Sequence, residues 1–310
     1  MKCVRNAVCG SLICLVAAAT VALATQKKAA GPSFSEARIY KQIDACDLRM
    51  DVYKPDGWSA AEHRPAILFF HGGGWRSGNP KGMEDYCRYF TCRGYVTFSA
   101  QYRLYPNVAV EGCVRDAVSA LRWVREHAAE LGIDPARIAV GGSSAGGHLA
   151  AAVGLLSGFD EANENCTVSA CPNAMILLNP ALVLAPIDAK SAGFFDKLDA
   201  DTRERLGPHA EKISPWHHIR QGQPPAIILH GTADRIVPFW TAEIFAQTAR
   251  AASNRCELVA YTNAPHGFCH YGSSRKNFIS ACDAIDTFLV SLGWMKEAGR
   301  CEAILTAHRL

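Results

Sequence analysis

The sequence predicts an α/β protein: a doubly wound, mostly parallel sheet in one domain, with a short helical insertion. Three observations carry that expectation. Strand-like and helix-like segments alternate from about residue 37 to residue 292, the rhythm of βαβ units. Ala66-Ile67-Leu68-Phe69-Phe70 is an unbroken apolar run, as expected of a strand covered on both faces. Gly142-Ser143-Ser144-Ala145-Gly146 fits the pattern G-x-S-x-G and sits between a strand and a helix.

Taken in order, Ala66–Phe70 is followed by a second buried strand at Tyr95-Val96-Thr97-Phe98, just past a glycine. From Val114 to Ala128, apolar Val114, Ala117, Val118, Leu121 and Val124 recur at helical spacing, and Gly132-Ile133-Asp134-Pro135 supplies a stop. Arg137–Gly141 reads as a short strand and Gly147–Val153 as a helix of small residues, which lets strand and helix approach closely around Ser144. Ala174–Leu178, Ala226–Leu229 and Leu258–Tyr261 are the later strands, with helices at Trp240–Ala251 and Phe278–Leu292. Residues 181–225 break the rhythm: prolines, charges and the pair Phe194-Phe195 appear without a clear strand. They read as a small helical insertion over the site. Residues 293–310 read as a polar tail, pinned through Cys301 by a disulfide.

At 310 residues, with 49% hydrophobic and 20% charged positions, the chain has an ordinary globular composition. A net charge of +3, with scattered Lys and Arg, speaks against nucleic acid as a partner. Lys2 and Arg5, the apolar stretch Val8–Leu23 and the A-x-A site Ala22-Leu23-Ala24 predict a secretory signal peptide over residues 1–24. That stretch is shorter than the ~20 residues a bilayer span needs, so no stable membrane anchor is expected. The folded domain is then placed at 33–292, outside the cytoplasm. Three of the 13 cysteines (Cys3, Cys9, Cys14) precede the cleavage point. The even number that remains predicts disulfides, up to five, in an exported chain. Cys87/Cys92 and Cys166/Cys171 are close in sequence; Cys113 and Cys282, inside helices, read equally as small buried hydrophobes. Paired C-x-x-C units, which zinc would want, are absent.

A serine hydroxyl needs a base, and the base needs an orienting acid. In the strand–turn–helix context these partners follow in the order Ser, Asp, His, each just past a strand. Asp234 lies in His230-Gly231-Thr232-Ala233-Asp234, and His266 in Ala264-Pro265-His266-Gly267-Phe268, both at strand ends. The register of G-x-S-x-G selects Ser144 over Ser143. His270 is the alternative base, farther from its strand end. His217 and His218 belong to the insertion, as pocket lining or helix caps. His148 faces away from Ser144, and Asp188 has a poorer context than Asp234. His71-Gly72-Gly73-Gly74-Trp75 follows the strand ending at Phe70. Its glycines allow backbone N–H groups to approach a developing oxyanion, with the amide of Ala145 as the other donor. His71 and Trp75 are the candidate substrate contacts. Trp75 is either a wall of an acyl or sugar pocket or simple packing under the loop.

These residues carry a resemblance. His71–Trp75, Asp116–Val124, Asp134–Ile138 and Gly142–Gly147 look like the hormone-sensitive-lipase-related α/β-hydrolases. HGGGW together with GGSSAGG, Gln101-Tyr102-Arg103-Leu104 and the run His230–Pro238 looks more like the secreted acetylxylan/feruloyl esterase-like branch. The resemblance implies the α/β-hydrolase fold over roughly residues 40–292 and hydrolysis of carboxylic esters. It implies Ser144, Asp234 and His266 as triad and Gly73, Gly74 and Ala145 as oxyanion donors, with no metal or organic cofactor. Many relatives carry an acidic residue before the elbow serine; Ser143 departs from that and favours the esterase branch over the lipase branch. The short insertion argues against a deep, fully lidded lipase site. The implied substrate is a small ester or an acylated carbohydrate. An arylformamidase shares HGG-x-W but is expected in the cytoplasm, and a prolyl-oligopeptidase-like enzyme would need a propeller that this length cannot hold. A silent binding protein on the same fold is the alternative of another class, which the intact Ser, Asp, His and HGGG oppose.

Overall fold

In the computed structural model, residues 34–43 and 46–308 are described. Eight strands form one sheet: β1 (Glu36–Ile43), β2 (Cys46–Tyr53), β3 (Arg64–Phe70), β4 (Val96–Ala100), β5 (Ile133–Ser143), β6 (Ala174–Leu178), β7 (Ala226–Gly231) and β8 (Cys256–Tyr261). Their order is β1-β2-β4-β3-β5-β6-β7-β8. The pairs β1/β2 and β2/β4 are antiparallel, and every pair from β4/β3 onward is parallel.

The unbroken apolar run in β3 is explained by its central place. Alternate side chains leave a strand on opposite faces: Ile67 and Phe69 enter one core, Ala66, Leu68 and Phe70 the other. The first core is closed by α1 (Glu84–Cys92), α7 (Arg275–Ser291) and α8 (Cys301–His308), through Tyr86, Phe90, Phe278 and Leu289. The second is closed by α2 (Val110–Glu126), α3 (Ala145–Leu155) and α6 (Phe239–Ala251), through Val114, Leu121, Leu149 and Phe245. Both faces are therefore dry, and periodicity of two is erased from the central strands. The edge strand β1 keeps it, with alternately more and less exposed residues.

Boundaries shift where capping and pairing outweigh pattern. Helix α7 begins at Arg275, three residues before the first apolar position, because Ser274 Oγ accepts the N–H of Asn277. Strand β5 runs back through Asp134-Pro135, which pattern alone reads as a stop, because Ile133 pairs with Arg64 across a register shift. Residues 181–225 form α4 (Ala189–Phe195), α5 (Ala200–Leu206) and two 3-10 turns, with no strand.

Two expectations are corrected. The tail is not merely polar: Cys301 and Leu305 of α8 are buried against α1 and α7, and Asp283 Oδ1 accepts the N–H of Cys301 at 2.8 Å. No disulfide exists among the described residues; all ten cysteines there are free thiols, Cys301 included. Cys87 and Cys92 lie five positions apart on one helix, about 140° apart around its axis, with Cys87 buried in the core. Cys113 and Cys282 are fully buried in α2 and α7, as small hydrophobes. The predicted signal peptide lies outside the described residues. Among those described, no helix is long and apolar enough to cross a membrane.

Candidate active site

Strand β5 ends at Ser143 and α3 begins at Ala145, so Ser144 alone makes the turn. Its backbone lies at φ 56°, ψ −117°, a region costing a non-glycine residue about 1–3 kcal/mol. The surroundings enforce it. Ser144 N–H donates to Leu178 O at 2.9 Å. A Cβ on Gly142 would lie 2.4 Å from Gly146 O, and one on Gly146 would lie 2.0 Å from Phe70 O. Strand β3, strand β5 and helix α3 thus meet with no room for side chains. Gly146→Ala is expected to lose about 3 kcal/mol and activity together, although alanine is the better helix former. Gly272→Ala, with nothing within 4 Å, is expected to stay within about 0.5 kcal/mol; urea melts of the two variants check this contrast.

The loops after β7 and β8 are stapled to each other. Thr232 N–H donates to Tyr261 O, Ala233 N–H to Ala264 O, and Asn263 N–H to Thr232 Oγ1. That staple sets Asp234 against His266. His266 Nδ1–H donates to Asp234 Oδ2 at 2.7 Å, and Ser144 Oγ–H donates to His266 Nε2 at 2.9 Å. Asp234 Oδ1 accepts the N–H groups of Ile236 and Val237, both at 2.9 Å. Burial of the Asp234 carboxyl would push its pKa up; hydrogen bonds from His230, His266 and the Val237 N–H outweigh that and hold it well below the usual carboxylate range.

Sequence reasoning missed His230. Its Nε2 lies 3.2 Å from Asp234 Oδ2 and 2.9 Å from Val237 O, so two imidazoles share one carboxylate oxygen. The signal available was its place four residues before Asp234 at the end of an apolar strand. It also missed Arg205 of α5, whose Nη1 donates to Gly74 O at 2.5 Å. No local pattern links positions 131 residues apart.

The glycine loop is shaped by its own carbonyls. Gly73 O accepts Arg76 N–H, Ser77 N–H and Ser77 Oγ–H, and a Cβ on Gly73 (φ +119°) would lie 2.1 Å from Ser77 O. The N–H groups of Gly73, Gly74 and Ala145 have no protein acceptor among the described residues, and these residues border clefts that Ser144 also lines. Donors poised in this way suit an oxyanion. Trp75 lines the cleft beside Ser144, and its Nε1–H donates to His148 Nδ1 at 3.2 Å. His148 Nε2–H donates in turn to Ile213 O, and burial pulls the ring down to about 4, so it is a neutral prop. His71 stacks on Tyr102 at 4.3 Å and donates Nδ1–H to Gly72 O; burial lowers its pKa.

The alternatives fall elsewhere. His270 Nε2 meets Ser143 Oγ at 3.0 Å, not Ser144. His217 meets Ser214 Oγ, and His218 meets Glu211 O. Asp188 caps α4 by accepting the N–H of Ser191. No three His, Cys, Asp or Glu side chains among the described residues converge as metal ligands.

Two clefts meet at Ser144. One, about 320 Å³, is walled by Trp75, Ala145, Val183, Phe195, Leu198 and Leu206. The other, about 560 Å³, is more open and bordered by His71, Asn79, Ser143, His266 and His270.

Residues 50–248 match the BD-FAE family. The chain belongs to that family of α/β-hydrolases. Carboxylic ester hydrolase LipN of Mycobacterium tuberculosis is 43% identical over 70% of this chain and 59% of its own length. Carboxylesterase NlhH of the same species is 30% identical over 73% of this chain and 72% of its own. The chain spans 59% of LipM as well, under two thirds of that relative's length. Among solved structures, apo esterase 2 of Thermogutta terrifontis is 45% identical over 84% of this chain and 96% of its own, with a TM-score of 0.79. In sequence and fold the BD-FAE chain stands among carboxylic ester hydrolases.

Proposed function

We propose that the chain hydrolyses short-acyl esters through a covalent acyl-Ser144 intermediate. The observation that carries this is the unbroken line Ser144 Oγ, His266, Asp234 beside three N–H groups without protein acceptors among the described residues. Ser144 Oγ attacks the ester carbonyl as His266 Nε2 takes its proton. The N–H groups of Gly73, Gly74 and Ala145 hold the oxyanion, and His266 protonates the departing alcohol. Water then repeats the attack and releases the acid. Asp234 stabilises the imidazolium that forms in each half.

The assignment of clefts follows from the proton. His266 must reach the leaving oxygen, and His266 borders the open cleft only. The alcohol therefore lies in the open cleft and the acyl group in the 320 Å³ pocket under the insertion. That pocket, smaller than the open cleft and with Trp75, Val183, Phe195, Leu198 and Leu206 in its wall, supports a short acyl chain. So do solved forms of the Thermogutta esterase with propionate bound, at 45% identity, and butyrate bound, at 44%. The open alcohol side, bordered by His71, Asn79, Ser143 and His270, leaves room for an acylated carbohydrate, with acetyl or feruloyl groups on polysaccharide as substrates outside the cytoplasm. The motif resemblance and the N-terminal sequence support that last step.

A fluorophosphonate probe is expected to label Ser144. Acetylated xylan, feruloyl-arabinose, p-nitrophenyl esters and N-formylkynurenine are to be assayed side by side, with acetate to butyrate esters expected fastest. Absence of labelling in folded protein overturns the serine mechanism. Faster turnover of a long-chain ester than of acetate overturns the acyl preference.

A further inference from the structure

A groove of about 370 Å³ adjoins the acyl pocket, and one residue, Phe194, lines both; Ile187, Trp240 and Ile244 line the groove together with the exposed side chains of Asp188, Glu243 and Gln247. Phe194 is the penultimate residue of α4, held in place from the helix's other end by the Asp188 cap. Its ring meets Phe195, a wall of the acyl pocket, edge-on at 5.2 Å. On the other side it meets Trp240, a wall of the groove, edge-on at 6.0 Å. Helix α6 divides the same way. Val237, Pro238 and Thr241, at its start, face the acyl pocket; Trp240 and Ile244 face the groove. Phe194 is the one residue that lines both spaces.

We propose that Phe194 is the end wall that limits acyl length, and that the groove beyond it is a distal subsite for the chain of a medium-length acyl ester. This rests on the reading of the 320 Å³ pocket as the acyl site. The occupant is identified by continuity: the groove shares Phe194 with the pocket, its apolar lining beyond that ring is Ile187, Trp240 and Ile244, and an alkyl chain extended from Ser144 past Phe194 is what would enter it. Each methylene that leaves water for such a surface improves binding severalfold, so an intact Phe194 withholds that gain from every carbon beyond the first pocket.

The test is kcat/KM for p-nitrophenyl acetate, butyrate, octanoate and decanoate. Phe194→Ala is expected to raise the decanoate-to-acetate ratio about tenfold or more over the unchanged enzyme, with Phe194→Leu moving it in the same direction by less. Adding Ile244→Trp to Phe194→Ala, which refills the space, is expected to return the ratio to its original value. Thermal melts show that each protein compared is folded, and the leucine variant carries the test if the alanine variant is not. A ratio that stays constant as Phe194 shrinks, or that rises and is not reversed by Ile244→Trp, overturns the proposal. Failure of the esterase reading is distinct: the unchanged enzyme would then show no turnover of any ester and no labelling of Ser144.

Discussion

Ser144→Ala is expected to lower kcat for p-nitrophenyl butyrate by about 10⁶-fold, down to the residual rate of oxyanion donors and binding alone. The hydroxyl makes one hydrogen bond, to His266 Nε2. The strained turn is held by backbone contacts, Ser144 N–H to Leu178 O and the glycine approaches at Gly142 and Gly146. Removing Oγ therefore leaves the fold and both clefts in place, so affinity for a product acid and the melting temperature should hardly move. The reason for so large a loss is that the members act as a unit: without the nucleophile, the base has nothing to activate and the intermediate cannot form. The measurement is kcat per mole of folded protein, with the active sites of the unchanged enzyme counted on a separate sample by fluorophosphonate, alongside a thermal melt. A loss of less than tenfold would falsify the covalent mechanism and turn attention to water activated directly by His266.

Asp234→Asn is expected to cost about 10⁴-fold in kcat while leaving the shape of the site unchanged. Asp234 Oδ2 now accepts from His266 Nδ1–H at 2.7 Å and from His230 Nε2–H at 3.2 Å. An asparagine amide placed there donates instead, which turns His266 to the tautomer with its proton on Nε2. That nitrogen then cannot accept the proton of Ser144. The substitution also alters the response to acid. A carboxyl whose pKa is depressed in the folded state contributes stability above its unfolded value, near 3.9, and loses it as pH falls towards the folded value. The wild-type chain should thus lose this share of its stability progressively below about pH 4, and the asparagine variant should lack that component of the acid limb. Equilibrium unfolding from pH 7 to pH 3 compares the two, and identical slopes would contradict the hydrogen-bonded carboxylate described above.

The parts of the site that were readable are those where backbone geometry restricts residue choice. Gly142 and Gly146 are required by carbonyls at 2.4 and 2.0 Å, and Gly73 by a carbonyl at 2.1 Å, so the elbow and the loop leave an imprint in sequence. Asp234 and His266 were readable because each follows directly on a strand whose apolar run is visible. His230 was less legible: nothing in an apolar strand distinguishes a histidine that reaches a carboxylate from one that is merely packed. Arg205 on Gly74 O, Trp75 on His148 and Phe194 between the acyl pocket and the groove depend on how the insertion lies over the sheet, which no local pattern encodes. The cysteines misled for a related reason. Counting thiols predicts bonds only where the fold brings them together in bridging geometry, and here helices α1, α2 and α7 use them as small apolar side chains.

By itself the sequence determined the parallel strands β3 to β8, the helices α2, α3, α6 and α7 between and after them, and which serine, aspartate and histidine stand at strand ends, while β1, β2 and α1 went unread. These follow from short-range rules: apolar runs for buried strands, helical spacing, and glycine where backbones touch. Only the tertiary structure decided that His230 shares Asp234 with His266, that α8 closes a core where a polar tail was expected, and that the ten cysteines among the described residues are unpaired. It alone set the two clefts and the ring shared by the acyl pocket and the groove beside it. Those features are distances between residues far apart in the chain. Such distances arise from packing two cores and an insertion against one sheet, and packing has no spacing that a linear pattern can show.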